Sequence, residues 1–67
     1  MAAKVLTVSD GVVHGTREDH SGAALEARLA DEGWMIAERA VCADGVESVA
    51  SAIARLAGDF HGLIVTT

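Results

Sequence analysis

The chain has 67 residues, and ten acidic side chains against five basic ones give it a formal net charge of -5. A protein that binds the nucleic-acid backbone needs a basic surface, so this charge argues against a nucleic-acid partner. No apolar run approaches the roughly 20 residues that span a bilayer, and the first residues lack the architecture of a signal peptide. We therefore expect no membrane partner. The single cysteine, Cys42, cannot form an internal disulfide and fits a reducing compartment, so we expect a cytoplasmic protein.

The first predicted element is a short buried strand that runs into a glycine-punctuated loop. Residues 5–8 form an apolar, β-rich run, and Ser9, Asp10 and Gly11 end it. The loop continues to about Ser21, where a helix begins. Loops of this kind hold anionic ligands in α/β proteins, because the following helix presents unpaired N–H groups and the positive end of its dipole. The segment predicts a site for a phosphate or nucleotide ligand and leaves the ligand open.

A helix and a second strand follow this loop. Alanine and leucine dominate the helix, Leu25 and Leu29 lie one turn apart, and Gly33 stands where a helix C-terminal glycine belongs. Both Asp19 and Ser21 are candidate capping residues, and Ser21 is the better one by position. Residues 34–42 form the second strand, whose polar middle predicts an edge or half-exposed position.

The second predicted helix begins at Asp44 and ends near Gly58. Asp44 followed by Glu47 is an aspartate version of the capping box, which predicts that Asp44 caps the helix. Four apolar residues repeat at helical spacing along it: Val46, Val49, Ile53 and Leu56.

A third strand completes the order of elements. It runs from Phe60 through the apolar residues 63–65 to Thr66 and Thr67. The order β-α-β-α-β places the chain in the α/β class and predicts a parallel sheet with right-handed crossovers. A parallel sheet is normally covered on both faces, and three strands with two helices leave an apolar edge and a poorly covered face. We therefore expect residues 1–67 to be the amino-terminal portion of a single larger domain.

Several short motifs occur in one order along the chain. Residues 7–10 read T-V-S-D, residues 15–22 contain a glycine, an aspartate and the pair S-G, residues 41–44 read V-C-A-D, and residues 63–67 read L-I-V-T-T. Together they resemble the opening of the MogA/MoaB family of molybdenum-cofactor biosynthesis proteins. The V-C-A-D segment resembles the V-V-P-D turn of that family, and the last segment resembles the strand before its G-G-T-G loop. The G-G-T-G loop itself and the later R-D-V-T-P motif would lie beyond Thr67.

The resemblance implies an incomplete molybdopterin-binding fold of three layers, commonly trimeric. In the adenylyltransferase members of the family, magnesium-dependent transfer of AMP from ATP to molybdopterin releases pyrophosphate. Asp44 matches an aspartate implicated in catalysis, so the resemblance gives it a catalytic role, and no residue is assigned to bind a metal directly. The matching substrate-binding loop near the pterin and nucleotide pockets comprises Ser9, Asp10, Gly15, Asp19, Ser21 and Gly22.

Simpler interpretations stand beside these roles. Asp44 is a helix cap by position, and Asp19 and Ser21 are ordinary turn or capping residues. Two other functions stay open for the chain as a whole. One is a non-catalytic module of the same fold that binds molybdopterin or supports oligomerisation, and the other is an inactive truncated product.

Overall fold

The computed structural model describes residues 1–67 and contains a three-stranded parallel sheet with three helices. The parallel α/β architecture predicted from the sequence is therefore confirmed. The strand order across the sheet is β2-β1-β3, so β1 lies in the centre. The elements in chain order are β1 (Ala2–Val8), α1 (Asp10–Val13), α2 (His20–Asp31), β2 (Met35–Cys42), α3 (Val46–Ala57) and β3 (Leu63–Thr66).

The two long helices cover opposite faces of the sheet. Ala3 and Val5 of β1 are fully buried and pack with Leu29 of α2 on one face. Lys4 points to the other face, where its Nζ donates a hydrogen bond of 2.8 Å to the carbonyl of Leu56 in α3. Because β2 and β3 flank β1 on different sides, crossovers of one hand must place their helices on different faces. The result is three layers: helix, sheet and helix.

The structure contains one element that the sequence pattern does not predict, and it extends another. The short helix α1 occupies part of the predicted loop, and the Ser9 hydroxyl caps it by accepting a hydrogen bond of 3.3 Å from the Val12 N–H. Four residues are too few to show a helical period. Strand β1 begins at Ala2, because Ala2 pairs with Met35 of β2 and Ala3 pairs with both neighbouring strands. The edge position predicted for β2 is confirmed, since alternate residues of this strand are exposed.

The preferred cap of each predicted helix, Ser21 and Asp44, is wrong, whereas the other candidate Asp19 and the predicted end of α2 are confirmed. Asp19, and not Ser21, caps α2, because its carboxylate accepts a hydrogen bond of 3.0 Å from the Gly22 N–H. Asp44 does not cap α3. The cap position is Gly45, whose φ of 117° turns the chain there, and the Asp44 carboxylate accepts from the adjacent Gly45 N–H instead. Gly33 follows the end of α2 with a φ of 92°, a conformation that favours glycine.

Helix α3 is covered over only part of its apolar side. Leu56 is fully buried, but Val46 is 87% exposed and Ile53 is 38% exposed. With Val49 and Ala50 these two residues line a shallow apolar groove, here called the α3 apolar face (Val46, Val49, Ala50, Ile53). Only 7 of the 67 residues are buried, so the core is small. None of the three helices has the length and apolar character that crossing a membrane requires.

The exposed apolar surface predicts how the 67-residue chain behaves when it is prepared alone. We expect it to aggregate or to fold only partly, because edge strands and the α3 apolar face lack cover. Light scattering and a thermal melt measure this. Val46→Glu should reduce aggregation without lowering the melting temperature, since the Val46 side chain is almost entirely in solvent and the start of a helix favours a negative charge. A sharp, reversible melt of the unmodified chain as a monomer would contradict the expectation.

Candidate functional site

A polar cleft of about 510 Å³ lies at the carboxyl end of β1. The chain crosses from β1 to one side of the sheet and later returns to the other side, so this end of β1 is the point where ligands bind in open α/β sheets. Only two of the ten residues that line the cleft are hydrophobic. The polar side chains include those of Ser9, Arg17, Asp19, Ser21 and Thr67. The cleft is therefore suited to a polar or charged ligand.

The Asp19 carboxylate connects β1, α2 and β2 at this cleft. Its carboxylate accepts hydrogen bonds from the Thr7 hydroxyl, at 2.9 Å to each oxygen, and from the Gly22 N–H. Arg39 of β2 donates to the same carboxylate from Nη2 at 2.6 Å. Arg39 also reaches Glu26 of α2, at 3.3 Å from Nη1. This network fixes the start of α2 to the central strand and to the edge strand.

The environment of Asp19 keeps it ionised. Its side chain is 15% exposed, and burial raises the pKa of the carboxyl. The hydrogen bond from Arg39, followed by those from Thr7 and Gly22 and by the positive charge of Arg39, outweighs burial and holds the pKa below its ordinary value. The same pairing raises the pKa of Arg39, chiefly through the hydrogen bond to Asp19. The pairing with Arg39 thus reduces the repulsion that the negative charge of Asp19 exerts on an anionic ligand.

Gly22 does not line the cleft, but it packs closely against Thr7 and Asp19, which do. A Cβ atom at this position would clash with the Thr7 hydroxyl and with both carboxylate oxygens of Asp19. Only glycine lets the first turn of α2 come this close to β1. The start of α2 also carries two free polar groups, because the N–H and the hydroxyl of Ser21 have no hydrogen-bond partner within the chain.

The structure brings two further predicted site residues together outside the cleft. The Asp10 carboxylate accepts a hydrogen bond of 2.9 Å from the Asp44 N–H, which joins the segment after β1 to the turn after β2. The Ser9 N–H donates to the Cys42 carbonyl at 3.0 Å and extends the pairing of these two strands. The hydrogen bonds that the Asp10 and Asp44 carboxylates accept are both exposed to solvent. Gly15 lies apart from both groups, in a turn with a φ of 77°.

Three residues of this region were missed by reasoning from the sequence. Thr7 and Arg39 hold Asp19, and Arg17 lines the cleft. A signal existed for Arg39, because a charged residue in the middle of a strand needs a partner when its face is covered. Thr7 is separated from Val5 by one residue, so the alternation of a strand places both on the face that packs against α2.

Comparison with known proteins agrees with this fold. The family described as "Probable molybdopterin binding domain" matches residues 4–67. The chain belongs to this family, and the resemblance predicted from its motifs is confirmed. No curated protein matched the chain.

Two solved structures resemble the chain closely. One is a protein from Corynebacterium diphtheriae with a provisional assignment to molybdenum cofactor biosynthesis, with a TM-score of 0.88 and 26% identity over 98% of this chain and 43% of that one. The other is CinA from Thermoplasma acidophilum, a protein of unknown function, with a TM-score of 0.85 and 23% identity over 97% of this chain and 38% of that one. At this identity the likeness to CinA shows the fold alone. The chain spans less than half the length of either protein.

The packing of Gly22 predicts a loss of stability on substitution. Gly22→Ala should lower the free energy of unfolding of the full-length protein by about 1–3 kcal/mol, because the added methyl group must displace Thr7 or Asp19. Denaturation by urea measures the loss. Ser21→Ala is the matched control at the next position, and it should cost less than about 0.5 kcal/mol. Equal stabilities of the two variants would mean that α2 does not rest on Thr7 in this way.

The lowered pKa of Asp19 predicts a dependence of stability on pH. Because the folded protein holds this carboxyl at a pKa below its ordinary 3.8, the unfolded state binds more protons in acid. The stabilisation is fully present above about pH 5 and is lost as the pH falls through the lowered value. Denaturant unfolding gives the free energy of unfolding at about pH 6 and at about pH 3. The decrease in this free energy between the two pH values should be smaller for Asp19→Asn than for the unmodified protein. Asp31→Asn, at an exposed position on α2, should keep the unmodified difference; a full loss in Asp19→Asn would contradict the assignment.

Proposed function

We propose that residues 1–67 form the amino-terminal portion of a molybdopterin-binding domain, and that the protein transfers AMP from ATP to molybdopterin in molybdenum cofactor biosynthesis. The observation that carries the proposal is the polar cleft at the carboxyl end of β1. The family match supports it, because it spans the strand, the loop and the helix start that build the cleft. The provisional assignment of the Corynebacterium diphtheriae protein to the same pathway supports it as well.

The cleft offers groups that suit a phosphorylated substrate. The Ser21 N–H points from the first turn of α2, where the helix dipole favours an anion, and the Ser21 hydroxyl adds a second donor. Asp19 holds this turn in place while its charge is balanced by Arg39. These residues bind and orient a phosphate, and orientation is a large part of catalysis in phosphoryl transfer.

Two acids in the segments that follow β1 and β2 would supply carboxylates to the magnesium ion that such a transfer uses. Magnesium is usually held by one or two carboxylates together with water and the phosphates of the substrate. Asp10 and Asp44 provide two carboxylates in neighbouring segments, joined by the hydrogen bond from the Asp44 N–H. Water and substrate phosphates would complete the shell of an ion held by these two carboxylates. The bound ion would stabilise charge on the transferred group.

The proposal includes a homotrimer in the cytoplasm, as the family resemblance implies. The α3 apolar face supports an assembly or a further part of the domain at that surface, since exposed apolar patches of this kind mark contact surfaces.

A non-catalytic molybdopterin-binding module is the second candidate. It is favoured by the positions of Asp10 and Asp44, because each carboxylate accepts a backbone hydrogen bond and so already has a role in the turn that it occupies. Reading the coding sequence after codon 67 separates the remaining possibilities. The G-G-T-G and R-D-V-T-P motifs there would favour the enzyme, and an immediate stop codon would favour the inactive truncated product.

Replacing Asp44 by asparagine distinguishes the enzyme from the binding module. An asparagine oxygen can accept the hydrogen bond from the Gly45 N–H as the carboxylate does, so the turn is kept while the charge is removed. In the full-length protein we expect the rate of molybdopterin adenylylation to fall about 100-fold, with little change in melting temperature.

Asp31→Asn is the control, because it removes the same charge from an exposed position on α2. It should leave the rate unchanged. Unchanged activity in Asp44→Asn, or equal losses of activity and stability, would assign Asp44 to the turn alone. Binding of molybdopterin without adenylylation by the unmodified protein would favour the second candidate.

A further inference from the structure

One cation of the chain is unpaired, and it lies in the cleft. The chain has five lysine and arginine side chains and ten acidic side chains, so possible acidic partners outnumber the cations. Arg17 is the only one of the five whose charged group forms neither a salt bridge nor a side-chain hydrogen bond. The other four pair with carboxylates: Lys4 and Arg55 with Glu38, Arg28 with Glu32, and Arg39 with Asp19 and Glu26.

The acids next to Arg17 in sequence contact other residues and not Arg17. Glu18 Oε2 lies 3.2 Å from Nε2 of His20, and Asp19 is held by Arg39 and Thr7. Arg17, Glu18, Asp19 and His20 are the charged or titratable residues that line the cleft. Arg17 therefore lines the polar cleft, and no carboxylate lies within salt-bridge distance of its guanidinium.

Gly11 of α1 leaves the space that the Arg17 side chain occupies. A Cβ atom at Gly11 would lie 2.5 Å from Cδ and 2.8 Å from Cγ of Arg17, so the absence of a side chain at position 11 makes room for the arginine stem. The backbone reinforces this arrangement, because the N–H groups of Thr16 and Arg17 both donate to the Gly11 carbonyl, at 2.9 and 3.2 Å. The position of Arg17 at the cleft thus depends on a glycine six residues earlier.

We propose that Arg17 is the cationic phosphate-binding residue of the cleft, beside the donors of Ser21, and that Gly11 is needed to hold it there. This inference rests on the proposed function and deepens it by naming the group that recognises the ligand. A guanidinium forms paired, charge-assisted hydrogen bonds with phosphate oxygens. In a chain with a net charge of -5, an anionic ligand needs such a local cation to overcome repulsion. Both molybdopterin and ATP carry phosphate, so the test treats them separately.

Calorimetric titration of the full-length protein with molybdopterin, and in a second series with ATP, tests the role of Arg17. Arg17→Gln should weaken binding of the ligand whose phosphate occupies the cleft by about 10-fold to 100-fold and reduce the salt dependence of its affinity. Arg17→Lys keeps the charge but not the paired geometry, so it should lose less. Arg28→Gln is the matched control on the exposed side of α2 and should bind as the unmodified protein does.

Gly11→Ala tests whether the space beside Gly11 is needed to hold Arg17, and it changes no charge. Alanine is a good helix former and suits α1, so the fold should be kept, and a thermal melt verifies this. We expect weaker binding when Arg17 is present and no further loss in the Arg17→Gln background, since the two changes act through one side chain. Equal losses in both backgrounds, or none in either, would overturn the proposal.

The outcomes separate this proposal from the function on which it rests. If the unmodified protein binds molybdopterin or ATP and Arg17→Gln binds it equally well, the role of Arg17 is refuted while the proposed function stands. If the unmodified protein binds neither ligand, both are refuted. If only one ligand loses affinity in Arg17→Gln, that ligand is the one whose phosphate lies in the cleft.

Discussion

The arrangement of the cleft depends on the pairing of Asp19 with Arg39. One carboxylate connects the end of the central strand through Thr7, the edge strand through Arg39 and the first turn of α2 through the Gly22 N–H. A chain with so few buried residues has little apolar packing to fix these elements relative to one another. Hydrogen bonds to a charged, partly buried group are among the stronger polar contacts, and they leave an unpaired charge behind if one partner is removed.

This pairing also has an electrostatic consequence for the ligand. A carboxylate at the mouth of an anion site would normally oppose binding, yet an aspartate is well suited to cap a helix. Arg39 lessens the conflict because it pairs with Asp19 from β2 and does not itself line the cleft. The helix start can then be capped by an acid and still receive a phosphate. Arg17 remains on the ligand side as the free cation.

The sequence predicted the order and type of the main elements because these depend on local periodicity. Apolar, β-rich runs identified the three strands, and helix-forming composition with helical spacing identified the two long helices. The caps could not be chosen in this way. The local pattern favours Ser21 over Asp19, and the actual choice is made by Thr7 and Arg39, which lie 12 and 20 residues from Asp19. At Asp44 the capping-box pattern is present, but the positive φ of Gly45 places the helix start one residue later.

The two long helices are fixed to the sheet at opposite ends, and this determines which surface is left open. Helix α2 is held at its start by Asp19, next to the cleft. Helix α3 is held at its end, where Lys4 donates to the Leu56 carbonyl and lies 4.3 Å from the centre of the Phe60 ring, a cation placed favourably for the helix dipole. The start of α3 has no side-chain cap, and the α3 apolar face lies in this part of the helix. The fold therefore positions the ligand-binding end of one helix by polar contacts, whereas the apolar side of the other requires cover from outside these 67 residues to be buried.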